Sequence, residues 1–290
     1  MYKQIAANKR NTVLIMAIFV ILIGAIGCGF AWAYQDWSVA TTVLVVATIY
    51  AIFQYFFASS LAVMMTGAKP ISKSDNRRLY NAVENLSITT GLPMPKVYII
   101  DDPAPNAFAT GRDPAHSMVA ATTGLLDIMD DKELTAVMAH EMSHVKNYDI
   151  RVSTITFGLV CLVGFLADIG IRMMTSGRSD EERSPVGMIF LFFTSILAPL
   201  LASLAQMAIS RQREYLADSS AIHITRYPEG MISALKKLDS HSRSMRRQNV
   251  ATEALYINNP IKKGLTSKLF STHPPLEERI ERLENAKKTF

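Results

Sequence analysis

The chain is 290 residues long, with 30 Lys+Arg against 25 Asp+Glu and a formal net charge of +5. That length forms one large or two modest domains, with core enough to fold without disulfides. Charged residues make up 19% of the chain, yet Asp36 is the only one between Asn11 and Ala68 and none occurs from Ser184 to Ser210. A purely soluble protein and a disordered one are both excluded.

Residues 13–34 and 39–65 are apolar runs, each longer than the ~20 residues a helix needs to cross hydrocarbon. Only Gln35-Asp36-Trp37 separates their cores, which predicts a tight hairpin with Trp32, Tyr34 and Trp37 at the membrane interface. Ala31-Trp32-Ala33 resembles a signal-peptide cleavage site after a basic start. A run this long, followed at once by another, favours a retained span instead. Two less pure runs follow at 152–174 and 185–209. Asp168 and Arg172 are spaced to pair near the end of the third, and Pro199 kinks the fourth. Lys3, Lys9 and Arg10 precede the first run, and Lys69, Lys73, Arg77 and Arg78 follow the second. The positive-inside rule therefore puts both ends of the hairpin in the cytoplasm. Cys28 and Cys161 both lie in apolar runs, which argues against a disulfide framework or a cysteine metal site. No basic stripe interleaved with aromatics and no glycine-rich phosphate loop is present, so lipid bilayer rather than nucleic acid or nucleotide is the expected partner.

The organisation that follows is an N-terminal transmembrane hairpin at 1–68, a polar domain in two segments at 69–151 and 210–290, and an inserted hydrophobic hairpin at 152–209. The first segment alternates elements. Residues 76–90 read as an amphipathic helix with Leu79, Val83 and Leu86 on one face, ended by Gly91. Residues 97–100, 107–110 and 118–122 read as short strands joined by Pro-, Asp- and Gly-containing turns. Asp130 with Glu133 makes a capping-box start for the next helix. The second segment is mostly helical and includes a charged amphipathic helix after Pro274-Pro275.

The capped helix carries His140-Glu141-Met142-Ser143-His144. A spacing of four returns to nearly the same helix face one turn on, so both imidazoles can reach one metal ion. Glu141 is turned about 100° away, which sets its carboxylate beside such a metal, where it can take a proton from water. A catalytic zinc normally has three protein ligands and one open position. The metzincin pattern is excluded, because it needs Gly and His where the chain has Asn147 and Ile150. Downstream, Glu214 and Asp218 share a helix face after the fourth apolar run. Glu214 is read as the third ligand and Asp218 as the acceptor that orients a ligating histidine, with Asp149 as a weaker rival. An even number of membrane crossings must separate Glu141 from Glu214, and the third and fourth runs supply two or none.

HEMSHVKNYD followed by SRQREYLAD, flanked by paired hydrophobic segments, resembles the HtpX family of membrane-bound zinc metalloproteases, bacterial relatives of the CaaX prenyl endopeptidases. The resemblance covers essentially the whole chain. It implies a mainly α integral membrane protein whose α+β, gluzincin-like zincin domain carries a small sheet, with about four transmembrane or membrane-associated helices. It also implies one zinc on His140, His144 and Glu214, with Glu141 as general base. The site would face the cytoplasm from the bacterial inner membrane and cleave damaged or misassembled membrane proteins. Asn106, Ala107 and Phe108 resemble the family's cleft-lining strand, to which an extended peptide can add through main-chain hydrogen bonds. His273, in Ser271-Thr272-His273-Pro274-Pro275, resembles its late His-Pro element, and a histidine there can stabilise an oxyanion. Two rival readings stand beside this one. The first is a prenyl-protein endopeptidase, and the second a non-enzymatic membrane adaptor with a four-ligand structural metal.

Overall fold

A computed structural model describes residues 2–175, 192, 195, 211–247, 252, 255–258 and 274–287. All but two residues of the fourth apolar run, and His273, lie outside the described residues.

Helices α1 (Tyr2–Tyr34) and α2 (Trp37–Thr66) form the predicted hairpin, and both are long and apolar enough to cross a membrane. Asp36 starts α2 by accepting from the Ser38 amide at 2.9 Å. Large side chains such as Ile21, Val45, Phe53 and Phe57 point outward, as lipid-facing positions should. The buried stripe of α2 is small and polar instead, with Ala47, Ala51, Gln54, Ala58 and Ala62, which lets neighbouring backbones approach closely.

The third apolar run is one helix, labelled here α6 (Asp149–Thr175), which begins three residues before the predicted 152. Its Val152, Ile155, Leu159 and Val163 pack with Ile15 and Phe19 of α1 and Ala51 of α2. The hydroxyl of Tyr50 donates to the Gly158 carbonyl at 3.1 Å, and Gln54 Nε2 donates to that hydroxyl. Such polar contacts hold helices together where burial of apolar surface supplies no drive. The expected Asp168–Arg172 pair forms, at 2.7 Å.

The polar part is built on a four-stranded sheet. Its strands are β1 (Lys69–Pro70), β2 (Lys96–Ile100), β3 (Ala107–Gly111) and β4 (Ser117–Thr122), in the order β1-β2-β4-β3. β2 and β4 run parallel with Lys96 opposite Met118, whereas β3 runs antiparallel to β4 with Ala107 opposite Ala121. The three predicted strands are present. β1 is too short to leave an alternating pattern. Helix α3 (Arg77–Thr90) is capped by Asn76 and closed by Gly91 in the left-handed region at φ 67°, and buries Leu79, Val83 and Leu86.

A short helix α4 (Thr123–Ile128) leads into α5 (Asp131–Lys146), whose capping box joins Asp130 to Glu133 in both directions. Helices α7 (Arg211–Thr225), α8 (Pro228–Ser240) and α9 (Leu276–Lys287) complete the unit. α5 lies at its centre: Leu134, Val137, Met138 and Met142 are each at most 1% exposed, in one core with residues of α3, α7, α8 and the sheet. A helix buried on nearly every side has little freedom to move the groups it carries.

Gly124 shows how tightly the preceding loop is seated. A Cβ there would sit 2.1 Å from the Pro103 carbonyl oxygen, while the Gly124 amide donates to Asp102 O at 3.0 Å. Neither backbone group can swing aside as a side-chain end can. Gly124→Ala should therefore cost about 3 kcal/mol of stability, read as a lowered denaturant midpoint of the detergent-solubilised chain. An unchanged midpoint would show that the loop relaxes freely.

Candidate metal centre

His140 and His144 lie one turn apart on α5, and Glu214 reaches them from α7. The two Nε2 atoms are 3.2 Å apart. Glu214 places Oε2 3.5 Å from the Nε2 of His140 and Oε1 3.5 Å from that of His144. A tetrahedral zinc with ligands at 2.0–2.1 Å spaces its donor atoms by about 3.3–3.4 Å. The two imidazole nitrogens meet that spacing, and Glu214 approaches it with a different oxygen toward each histidine, so that one donor atom per residue lies within 4.8 Å of the others.

The other ring nitrogen of each histidine is occupied. His140 Nδ1 lies 2.9 Å from Asp218 Oδ1, and His144 Nδ1 lies 3.1 Å from Asp149 Oδ2. A nitrogen facing a carboxylate carries the proton, so both Nε2 lone pairs point into the shared centre. Two imidazole lone pairs and a carboxylate facing one another repel unless positive charge lies among them. Burial alone would push the His140 imidazole down, but hydrogen bonds to Asp218 and Glu214 hold it up at about 9. His144 is likewise raised against its burial, mainly by the charge of Glu214 and the hydrogen bond to Asp149. The donor set fits a divalent cation. Asp218 and Asp149 thus stand behind the two imidazoles, on the ring nitrogens turned away from the shared centre.

Two arginines complete the surroundings, and neither was visible as a site residue in the sequence. Arg279 of α9 is 0% exposed. It donates from Nε and Nη2 to the two carboxylate oxygens of Asp218, at 2.8 and 2.6 Å, and its Nη1 lies 3.8 Å from Glu214 Oε2. Burial would raise the Asp218 carboxyl, yet the Arg279 charge and the bond to His140 hold it below the usual carboxylate range. Arg213, next to Glu214, lies 3.5 Å from Asp149 Oδ1. A signal for Arg279 did exist. Leu276, Arg279, Ile280 and Leu283 fall at i, i+3, i+4 and i+7, so this charge stands on the apolar stripe of α9.

Glu141 is buried on α5 beside the pair, 3% exposed. Asn106, Ala107 and Phe108 lie at the sheet edge but are not open to solvent. The Ile257 amide donates to Ala107 O at 3.0 Å, Asn106 Nδ2 donates to Asn258 O at 2.8 Å, and Tyr256 pairs with Phe108. The chain's own residues 255–258 therefore cover the place where a peptide was expected to add.

A profile of Peptidase family M48 matches residues 73–287. The chain belongs to this family. It is 54% identical to a protease HtpX homolog of Tropheryma whipplei (strain Twist) over the full length of both chains. A second protease HtpX homolog, from Ligilactobacillus salivarius (strain UCC118), is 44% identical over 98% of this chain and 99% of that one. Among solved structures the fold is similar to that of S. mikatae Ste24p, with a TM-score of 0.50 and 20% identity over 98% of this chain and 67% of that chain. The M48 match and the apolar hairpin make the chain a membrane-bound metalloendopeptidase. Peptide substrates and a metal follow from that membership.

Proposed function

We propose that the chain is a zinc-dependent endopeptidase that cleaves misfolded or damaged membrane proteins at the cytoplasmic face of the bacterial inner membrane, as part of stress-related quality control. The observation that carries this reading is the convergence of His140 Nε2, His144 Nε2 and Glu214 on one point, with both Nδ1 atoms held by carboxylates. One zinc per chain, on these three residues, leaves a position open to solvent and substrate. Residues 69–151 and 210–290 form the catalytic unit in this reading, with 1–68 as anchor and 152–209 as an inserted hairpin. The cytoplasmic assignment draws support from Asn8, near the basic start of α1, which donates to Asp149 at 2.7 Å. The centre thus lies at the basic end of the first span.

A divalent cation in this donor set supplies Lewis acidity, acidifying water and polarising a carbonyl. Glu141 takes the proton of the attacking water as the C–O bond forms. It returns that proton to the amide nitrogen as the C–N bond breaks. Asp218 and Asp149 hold the Nδ1 protons of the two histidines throughout, and Arg279 keeps Asp218 anionic. Addition of an extended substrate to β3 at Asn106, Ala107 and Phe108 requires residues 255–258 to leave that edge first.

Metal analysis of the purified full chain, with Glu214→Ala beside wild type, tests the assignment. Wild type should carry about one zinc per chain, and Glu214→Ala should lose most of it together with cleavage of an unprenylated, misfolded membrane protein. Unchanged metal in the variant would remove Glu214 from the donor set. A fourth protein donor on the metal would favour the adaptor reading, and cleavage confined to prenylated peptides would favour the prenyl endopeptidase.

A further inference from the structure

The bend that aims Asp149 at His144 contains neither glycine nor proline. Asn147 ends α5, Tyr148 takes a left-handed φ of 61°, and α5 meets the start of α6 at 82°. A residue with a Cβ disfavours that backbone, so something outside the bend must hold it. The holding groups come from the start of the first membrane helix. Asn8, buried in the second turn of α1, donates from Nδ2 to Asn147 O at 2.8 Å and to Asp149 Oδ1 at 2.7 Å. Its amide oxygen accepts from Arg213 Nη1 at 3.4 Å. Lys9 stands over the Tyr148 ring, its Nζ 4.5 Å from the centroid.

We infer that Asn8 is a positioning residue for the metal centre, acting through Asp149 on His144. This rests on the metal reading above. One side chain of α1 joins α5, α6 and α7 at the point where they meet, and a single amide does so by donating twice and accepting once. The first span is then part of the active site as well as an anchor. Asn8→Asp keeps the shape and the acceptor for Arg213 but removes both donors and sets a second carboxylate against Asp149. Asn8→Leu removes every polar contact. Phe19 of α1 offers the comparison: it is 1% exposed and packs in the apolar cluster with α6, away from this network.

The test uses the full chain in detergent, with zinc affinity read by chelator competition, the visible spectrum of the cobalt-substituted protein, and the thermal midpoint. Asn8→Asp and Asn8→Leu should weaken zinc binding at least about tenfold and shift the cobalt bands. Phe19→Ala should lower the midpoint while keeping both wild-type affinity and wild-type bands. Should Asn8→Leu not fold, the near-isosteric Asn8→Asp decides. Wild-type affinity and spectrum in folded Asn8 variants would overturn the inference alone, as would zinc loss in Phe19→Ala that tracks its lost stability. A wild-type chain that takes up neither ion would overturn the metal reading as well.

Discussion

Glu141→Gln will keep the metal and lower peptide hydrolysis by on the order of 10³-fold. The substitution preserves the volume of a side chain that is only 3% exposed on a helix buried on nearly every side. It leaves His140, His144, Glu214 and the carboxylates behind them untouched, so donor geometry and metal content should not change. What it removes is the ability to hold a proton between attack on the carbonyl and departure of the amine. Glu141→Asp separates this role from simple charge. It keeps a base of similar strength but withdraws it by one methylene, and a misplacement of about 1 Å costs on the order of 10²-fold. The expected ranking is wild type, then Glu141→Asp, then Glu141→Gln, at equal zinc content. Turnover by Glu141→Gln within tenfold of wild type would remove the proton-transfer role, and zinc loss in that variant would place Glu141 among the ligands.

The parts of this centre readable from sequence are those set by a local period. Two histidines one helical turn apart must share a face, and so must Glu214 and Asp218. The Asp130–Glu133 capping box fixes where α5 begins, and therefore which residues of it face inward. The unread parts depend on contacts distant in sequence. Asp149 looked a weaker rival to Glu214 because it follows so closely on His144. Its place behind the His144 ring depends on a reversal at Tyr148 that leaves no glycine or proline mark. Asn8 sits at the head of an apolar run, where a polar residue reads as an interfacial one. Arg279 shares the apolar stripe of a charged helix and Arg282 does not, but what encloses the first comes from other elements, while the second stands at the surface over the Tyr215 ring. The cover on β3 has the same origin. The edge strand was legible, but residues 255–258 carry no strand period of their own.

Arg279→Met will destabilise the chain by about 3–5 kcal/mol, because it leaves a buried carboxylate without its cation. Arg279 is fully enclosed and spends two hydrogen bonds on Asp218, which is itself only 1% exposed. Without the guanidinium, Asp218 keeps its desolvation cost and loses most of what offsets it. It either takes up a proton, which leaves the His140 Nδ1 proton only a weaker, neutral acceptor, or pulls away from His140 and leaves it none. Zinc affinity should then fall by about 10–100-fold, as when a group orienting a ligand is removed. Arg279→Lys supplies a charge but not the planar fork that meets both carboxylate oxygens, so it should recover part of the stability and little of the affinity. The decisive measurement is the double-mutant cycle with Asp218→Asn, read from denaturant midpoints of the full chain. If the two residues act as a pair, the double variant costs less than the two single variants together, by at least about 2 kcal/mol. Strict additivity would mean that Arg279 acts elsewhere, through Glu214 or through the packing of α9. The cycle also separates stability from chemistry. Double-variant protein that recovers its midpoint but still binds zinc weakly shows Asp218 holding His140 in place, with Arg279 holding Asp218.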